Sequence, residues 1–303
     1  MNKVKIIQHR LGEGALVFLI AIGWAALSGI GDIVLGVFQV NVRSLPLNFY
    51  LLSMLYCEGI AVLAMLVRYR QRPLLLGTSN SDINIDRDYL WGLLLGGIVF
   101  TVIWALILIQ GGYALSVVFK ASHLWLIVLY LFGFMIQSLF EELVCRGYVM
   151  GYWLEQGHVL TAVLLNALLF MGLHLGNPGF NKQAALGIFL FGILMSLVRL
   201  ACGSIWMGAG FHAIWNFFEG IVFGTAVSGL PNIGLIVKSS ATANNPLASG
   251  GVFGLESSTT SIVVHLIAIA AVLFIIQNSG PKGSFSKRLS LNGKGTNVEA
   301  RDD

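Results

Sequence analysis

Apolar runs of about 17 to 25 residues, each long enough to cross a hydrocarbon core of about 30 Å as a helix, recur along almost the whole chain. They predict eight spans, at residues 15–40, 47–67, 90–110, 124–145, 159–176, 182–200, 204–226 and 260–277. Helices are required because unpaired backbone groups are too costly in lipid. The expected fold is all-α, a polytopic transmembrane helical bundle of about eight spans. Two polar stretches interrupt the pattern, RYRQRPLLLGTSNSDINIDRD at 68–88 and the Gly, Ser, Asn and Thr-rich run at 227–259, and both read as loops. One domain over residues 1–278 is followed by a polar, basic tail at 279–303 with nothing to pack, expected to be disordered and cytoplasmic. The first apolar run is longer than a signal-peptide core and leads into further spans, so it is expected to remain as the first helix.

Composition sharpens this picture. The chain is 56% hydrophobic and only 11% charged, against about 25% charged in an ordinary soluble domain. With the N-terminus inside, every Lys and Arg except Arg43, Lys120, Lys182 and Lys238 falls on one side of the eight spans. The positive-inside rule therefore predicts both termini in the cytoplasm and a multi-pass protein of the cell membrane. Orientation in a bilayer accounts for the net charge of +4, and no basic run interleaved with aromatics points to nucleic acid. Cys57, Cys145 and Cys202 lack CxxC spacing and read as small packing residues rather than a disulfide framework or zinc knuckle.

An ionisable group at mid-bilayer costs about 2.5 to 3.5 kcal/mol on insertion scales, so such groups usually face an interior and mark function. Asp32, Glu58 and His265 stand alone in their helices, and buried hydrogen bonds would account for them. The stretch SLFEELVCRGYVM is different. Adjacent helical residues point about 100° apart, so Glu141 and Glu142 are not expected to face one small site. Arg146 follows Glu142 by four residues, the favourable acid-before-base order, which predicts that Glu142 pairs with Arg146 and leaves Glu141 for another partner. FMGLH places Phe170 and His174 on one helix face, and FHAIWN does the same for His212 and Asn216, with Glu219 following. A turn near Glu155 to His158 would bring Glu141 and His174 to similar depth, making a shared cavity feasible. A straight helix from 124 to 155 would be about 47 Å long at about 1.5 Å per residue, so it must tilt, bend or protrude.

EExxxR, then FxxxH, then HxxxN, carried by Glu141, Glu142 and Arg146, Phe170 and His174, and His212 and Asn216, resemble the three motifs of the CPBP intramembrane protease family. That family includes the CAAX prenyl endopeptidases of the Ras-converting-enzyme type and bacterial relatives linked to bacteriocin processing or self-immunity. WNFFEGIVFG and the loop after it look like the bacterial branch. The motif core spans 138–220. The resemblance implies a glutamate-dependent endopeptidase acting on a membrane-associated protein or peptide, prenylated CAAX-type chains among them. By the same resemblance Glu141 is the general base for the attacking water, and His174 holds that water or passes its proton. His212 and Asn216 stabilise the oxyanion, Glu142 and Arg146 support the site, and Phe170 shapes it. A carboxylate in a low-dielectric cavity suits such proton transfer. Glu141, His174 and His212 also make an acceptable catalytic zinc set, while the HExxH signature is absent. A metal-independent mechanism without cofactor is preferred, with zinc as the alternative. Two other functions fit the same residues: a proton- or cation-coupled transporter, and a non-catalytic immunity-type protein on the same fold.

Overall fold

The computed structural model describes residues 3–38, 45–79, 84–231, 233–242 and 245–279. Helix α1 (Lys3–Ala25) passes through a tighter 3₁₀ turn into α2 (Ile30–Val37). Helix α3 (Leu47–Arg68) starts after Pro46, and short α4 (Pro73–Leu76) lies in the first polar stretch. Helix α5 (Ile85–Ile109) is capped by Asn84, whose side chain accepts from the Arg87 amide at 2.9 Å. Strand β1 (Tyr113–Val117) leads to α6 (Leu124–Glu142), a π-helical segment (Leu143–Val149) and α7 (Met150–Glu155). The return helix α8 (Val159–Leu173) begins where the turn was expected. Asn181 then caps α9 (Lys182–Cys202), accepting from the amides of Gln183 and Ala184. Helix α10 (Trp206–Phe217) continues into a π turn (Phe218–Val222), followed by β2 (Val237–Ala241), short α11 (Pro246–Ser249) and α12 (Thr259–Ser279).

The protein is an all-α, polytopic helical bundle. Six helical segments are long and apolar enough to cross a membrane: Gly12–Gly29, Leu47–Arg68, Ile85–Ile109, Ala121–Glu155, Lys182–Cys202 and Thr259–Asn278. The runs at 159–176 and 204–226 give shorter helices than expected, because Gly172, Gly176 and Pro178 stop α8, and α10 cannot begin before the Gly203–Ser204 turn. The long segment Ala121–Glu155 is accommodated by its π-helical middle. Leu19, Ile33, Leu63, Leu160, Ile267 and Phe274 point outward and stay exposed, an apolar exterior that suits lipid.

The interior is aromatic: Trp215 packs edge-on to Phe100 at 5.1 Å between centroids and against Phe191 at 5.5 Å. Helices α5 and α10 approach backbone to backbone, since a Cβ at Gly210 would strike the Tyr89 carbonyl and one at Gly92 the Met207 carbonyl. That contact fixes α10, and with it His212 and Asn216, against the bundle.

The 227–259 stretch is ordered rather than a simple loop. Its β2 pairs antiparallel with β1, from Tyr113 opposite Ala241 to Val117 opposite Val237, and its return passes inward, burying Phe253, Leu255 and Glu256. No disulfide links Cys57, Cys145 and Cys202. The tail at 280–303 lies outside the described residues, as does the side chain of Asp32.

Candidate active site

The EELVCR motif straddles the junction between α6 and the π-helical segment, all seven residues of which are buried. π turns inside α-helices occur mostly as single-turn bulges, frequently at functional sites. Here Arg199 of α9 donates from Nη1 to the Gly147 carbonyl at 3.1 Å and from Nη2 to the Leu75 carbonyl at 3.0 Å, so a buried guanidinium satisfies backbone inside the segment. Glu142 Oε1 lies 3.1 Å from Arg146 Nη1, forming the expected ion pair with both side chains essentially inaccessible. The Arg146 guanidinium also lies over the Phe170 ring, 4.2 Å from its centroid. A cation over an aromatic face out of water gains about 2 kcal/mol or more, so Phe170 and Glu142 together hold the buried charge.

His212 lies between the two glutamates. Its Nδ1 is 3.2 Å from Glu142 Oε1, and its Nε2 is 3.5 Å from Glu141 Oε2. The two glutamates diverge as expected, Glu141 to the cavity wall and Glu142 to Arg146, and His212 touches both because imidazole carries nitrogens on two edges. Asn216 is also placed differently from a pair with His212 along its own helix. It donates from Nδ2 to Gln137 Oε1 at 2.9 Å, and Gln137 Nε2 in turn donates to Glu141 Oε1 at 2.5 Å. Glu141 thus accepts from Gln137 at Oε1, while its Oε2 faces His212 without a hydrogen bond.

His174 caps α8. Its Nδ1 is 2.8 Å from the Phe170 carbonyl, which can only accept, so Nδ1 carries hydrogen and a neutral ring leaves Nε2 as an acceptor. Burial separates the residues into two groups. Glu142, Arg146 and Phe170 are buried, whereas Glu141 keeps 23% of its side chain accessible and His174 is half-buried. Glu141, His174, His212 and Asn216 line one cavity of about 580 Å³, whose walls are otherwise mainly apolar.

The structure adds residues that the motifs did not mark. Gln137 lies one turn before Glu141, a spacing that could have drawn attention to it. Glu58, read as a lone buried polar residue, lines the same cavity from α3. Glu256 reaches it from the ordered 227–259 stretch, where both its carboxyl oxygens accept from Ser228, at 2.8 Å from Oγ and 3.0 Å from the amide. Burial pushes the Glu256 carboxyl up to about 7. Glu219, at the π turn after α10, is fully buried beside Glu256. His265 stacks on Trp215 at 5.4 Å and finds no hydrogen-bond partner among the described residues. Among those residues no group of three or more His, Cys, Asp or Glu side chains is arranged to hold a metal ion.

A carboxylate and imidazoles thus face one cavity inside an apolar helical bundle, backed by a buried ion pair. Residues 123–218 match the family described as type II CAAX prenyl endopeptidase Rce1-like. Over that stretch, about a third of the chain, the match supports a CAAX-type intramembrane endopeptidase, a protease, set among apolar helices that suit a multi-pass membrane protein. The match runs from the start of α6 into the π turn after α10 and so contains all three motifs. No curated protein and no solved structure matches the chain.

Proposed function

We propose that Glu141 activates water for attack on a peptide bond presented in the cavity, and that the reaction needs no metal. The observation that carries this reading is the placement of Glu141, partly accessible, bonded to Gln137 and facing His212, at the wall of a cavity it shares with His174. Glu141 takes the proton from water as its oxygen attacks the carbonyl carbon, then returns a proton to the departing amine. His174 orients that water through the Nε2 acceptor left by its bond to Phe170. His212, with Nδ1 committed to Glu142, presents Nε2 towards the reacting atoms. Both His212 nitrogens face carboxylate oxygens, Glu142 Oε1 and Glu141 Oε2, and a role in oxyanion stabilisation requires hydrogen on both. In that form Nε2–H donates to the oxyanion, alongside the amide hydrogen of Asn216 not bonded to Gln137. Glu142 and Arg146 act through His212, as positioning residues.

Positioned acid–base groups contribute about 10²- to 10⁴-fold in rate, and one oxyanion donor about 10²- to 10³-fold. Glu141→Gln, which keeps the size of the side chain, is therefore expected to lower cleavage of a membrane-tethered peptide at least about a hundredfold while leaving the melting temperature nearly unchanged. His212→Ala is expected to fall in the oxyanion range. Wild-type protein in vesicles that cleaves no tethered peptide, or Glu141→Gln that cleaves like wild type, would sink the reading. Activity that survives chelation supports the metal-free route, and activity lost with chelator and restored by zinc points to the Glu141, His174 and His212 set. We further infer eight crossings, with α8 and α10 as short ones, both termini in the cytoplasm and residence in the cell membrane, on the distribution of Lys and Arg.

A further inference from the structure

The cavity belongs to one end of the bundle. Helices α1, α8 and α10 contribute to it from their C-terminal halves, at Ala25, His174 and Asn216, whereas α3 and α9 contribute from their N-terminal halves, at Tyr50 and Ile188. Since the first three run towards that end and the other two away from it, five helices agree on where the cavity lies. Its mouth is there as well: Leu230 and Pro231 line the cavity and are exposed, whereas Phe140 and Val144, further along the α6 path, are buried.

The opposite end is closed. Leu75 and Leu76 of α4 are each 1% exposed and lie beneath the π-helical segment, all of whose residues are buried. Gly151 admits them, because a Cβ there would overlap the Leu75 carbonyl. Arg199 ties α4 to that segment by donating to the carbonyls of Leu75 and Gly147, and Trp206 Nε1 donates to the Thr78 carbonyl at 2.9 Å.

Charge distinguishes the two ends. Arg68, Arg70, Arg72 and Arg87 cluster at the closed end, where α3 leads through α4 into α5. At the open end the described Lys and Arg residues are Lys120, Lys182 and Lys238, each on a different connection. The positive-inside rule puts the closed, arginine-rich end in the cytoplasm.

We propose that the active site opens to the extracytoplasmic face, and that its substrate is an exported, membrane-anchored chain whose scissile bond is presented from that side. The proposal concerns the side of entry and applies equally to internal and C-terminal bonds. Its substrate clause rests on the peptidase reading of the same cavity.

The test has two parts, both with the full chain in intact cells. In the first, Cys57 and Cys202 are replaced by Ala, the buried Cys145 is kept, and either Leu230→Cys at the mouth or Gln156→Cys at the closed end is added; both positions are exposed. A membrane-impermeant maleimide is expected to label Leu230→Cys before permeabilisation and Gln156→Cys only after it. In the second, wild type meets two single-span peptides that carry one scissile segment, inserted in opposite orientations. Only the peptide presenting that segment outside is expected to be cut, with the cut lost in Glu141→Gln. The reverse labelling pattern, or equal labelling of both positions in intact cells, overturns the proposal. So does cleavage of the inward-presented peptide alone, which leaves the peptidase reading standing. Cleavage of neither peptide defeats the peptidase reading, and the labelling then decides the side of opening by itself.

Discussion

Arg146 shows what a single residue contributes here. Its guanidinium has no access to solvent, and its charge is met by Glu142 at 3.1 Å and by the Phe170 ring. Removing one member of such a pair leaves the other as an uncompensated buried charge, which costs about 3 to 5 kcal/mol. Arg146→Ala is therefore expected to lower the melting temperature and the yield of folded protein, measured by thermal unfolding in detergent. The contrast with Glu141→Gln, which should spare stability and remove turnover, separates positioning from chemistry. Equal loss of turnover with unchanged melting in both variants would show that the roles are divided wrongly. At this scale the sequence was informative: four-residue spacing named the Glu142–Arg146 pair. It was silent on His212 bridging two glutamates, because that contact joins residues about seventy positions apart on different helices.

At the scale of elements, the site depends on how closely α10 can lie against α5. Gly210 permits this, since a side-chain carbon there would overlap the Tyr89 carbonyl. Forcing extra atoms into packed interiors typically costs about 1 to 3 kcal/mol. Gly210→Ala is expected to destabilise by that amount and to reduce cleavage, because His212 and Asn216 ride on the displaced helix; a variant that melts and cleaves like wild type would contradict this packing. Apolar run length located α3, α5, α6, α9 and α12 well. It over-extended the runs at 159–176 and 204–226, since mean hydropathy does not register where Gly172, Pro178 and Gly203 break a helix. It also could not show the π-helical segment, where the Gly147 carbonyl accepts from Arg199, a residue distant in sequence.

Across the whole molecule, the 227–259 stretch ties the outer ribbon to the cavity. Ser228 adopts a left-handed backbone (φ 46°), a conformation that costs a non-glycine residue about 1 to 3 kcal/mol. It is offset by the two bonds from Ser228 to Glu256 and by Asn177 Nδ2, which donates to the Ser228 carbonyl at 2.8 Å. Because burial raises the Glu256 carboxyl to about 7, the folded chain holds that proton more tightly than the unfolded one. Its contribution to stability is then fully present below the ordinary carboxylate range and is lost as pH rises through about 7. Thermal melts should show wild type losing more stability between pH 5 and pH 8 than Glu256→Gln, which cannot titrate; parallel curves would remove Glu256 from this role.

The sequence by itself determined the membrane class, the helical nature of the fold and the identity of the motif residues, because hydrocarbon thickness and helical periodicity act on local stretches of chain. Only the tertiary structure decided which of those residues share a cavity, that Gln137 rather than His212 takes the Asn216 hydrogen bond, and that Glu58 and Glu256 face the same space. Those facts rest on contacts between helices distant in sequence, whose geometry is set by close packing and by the pairing of buried charge.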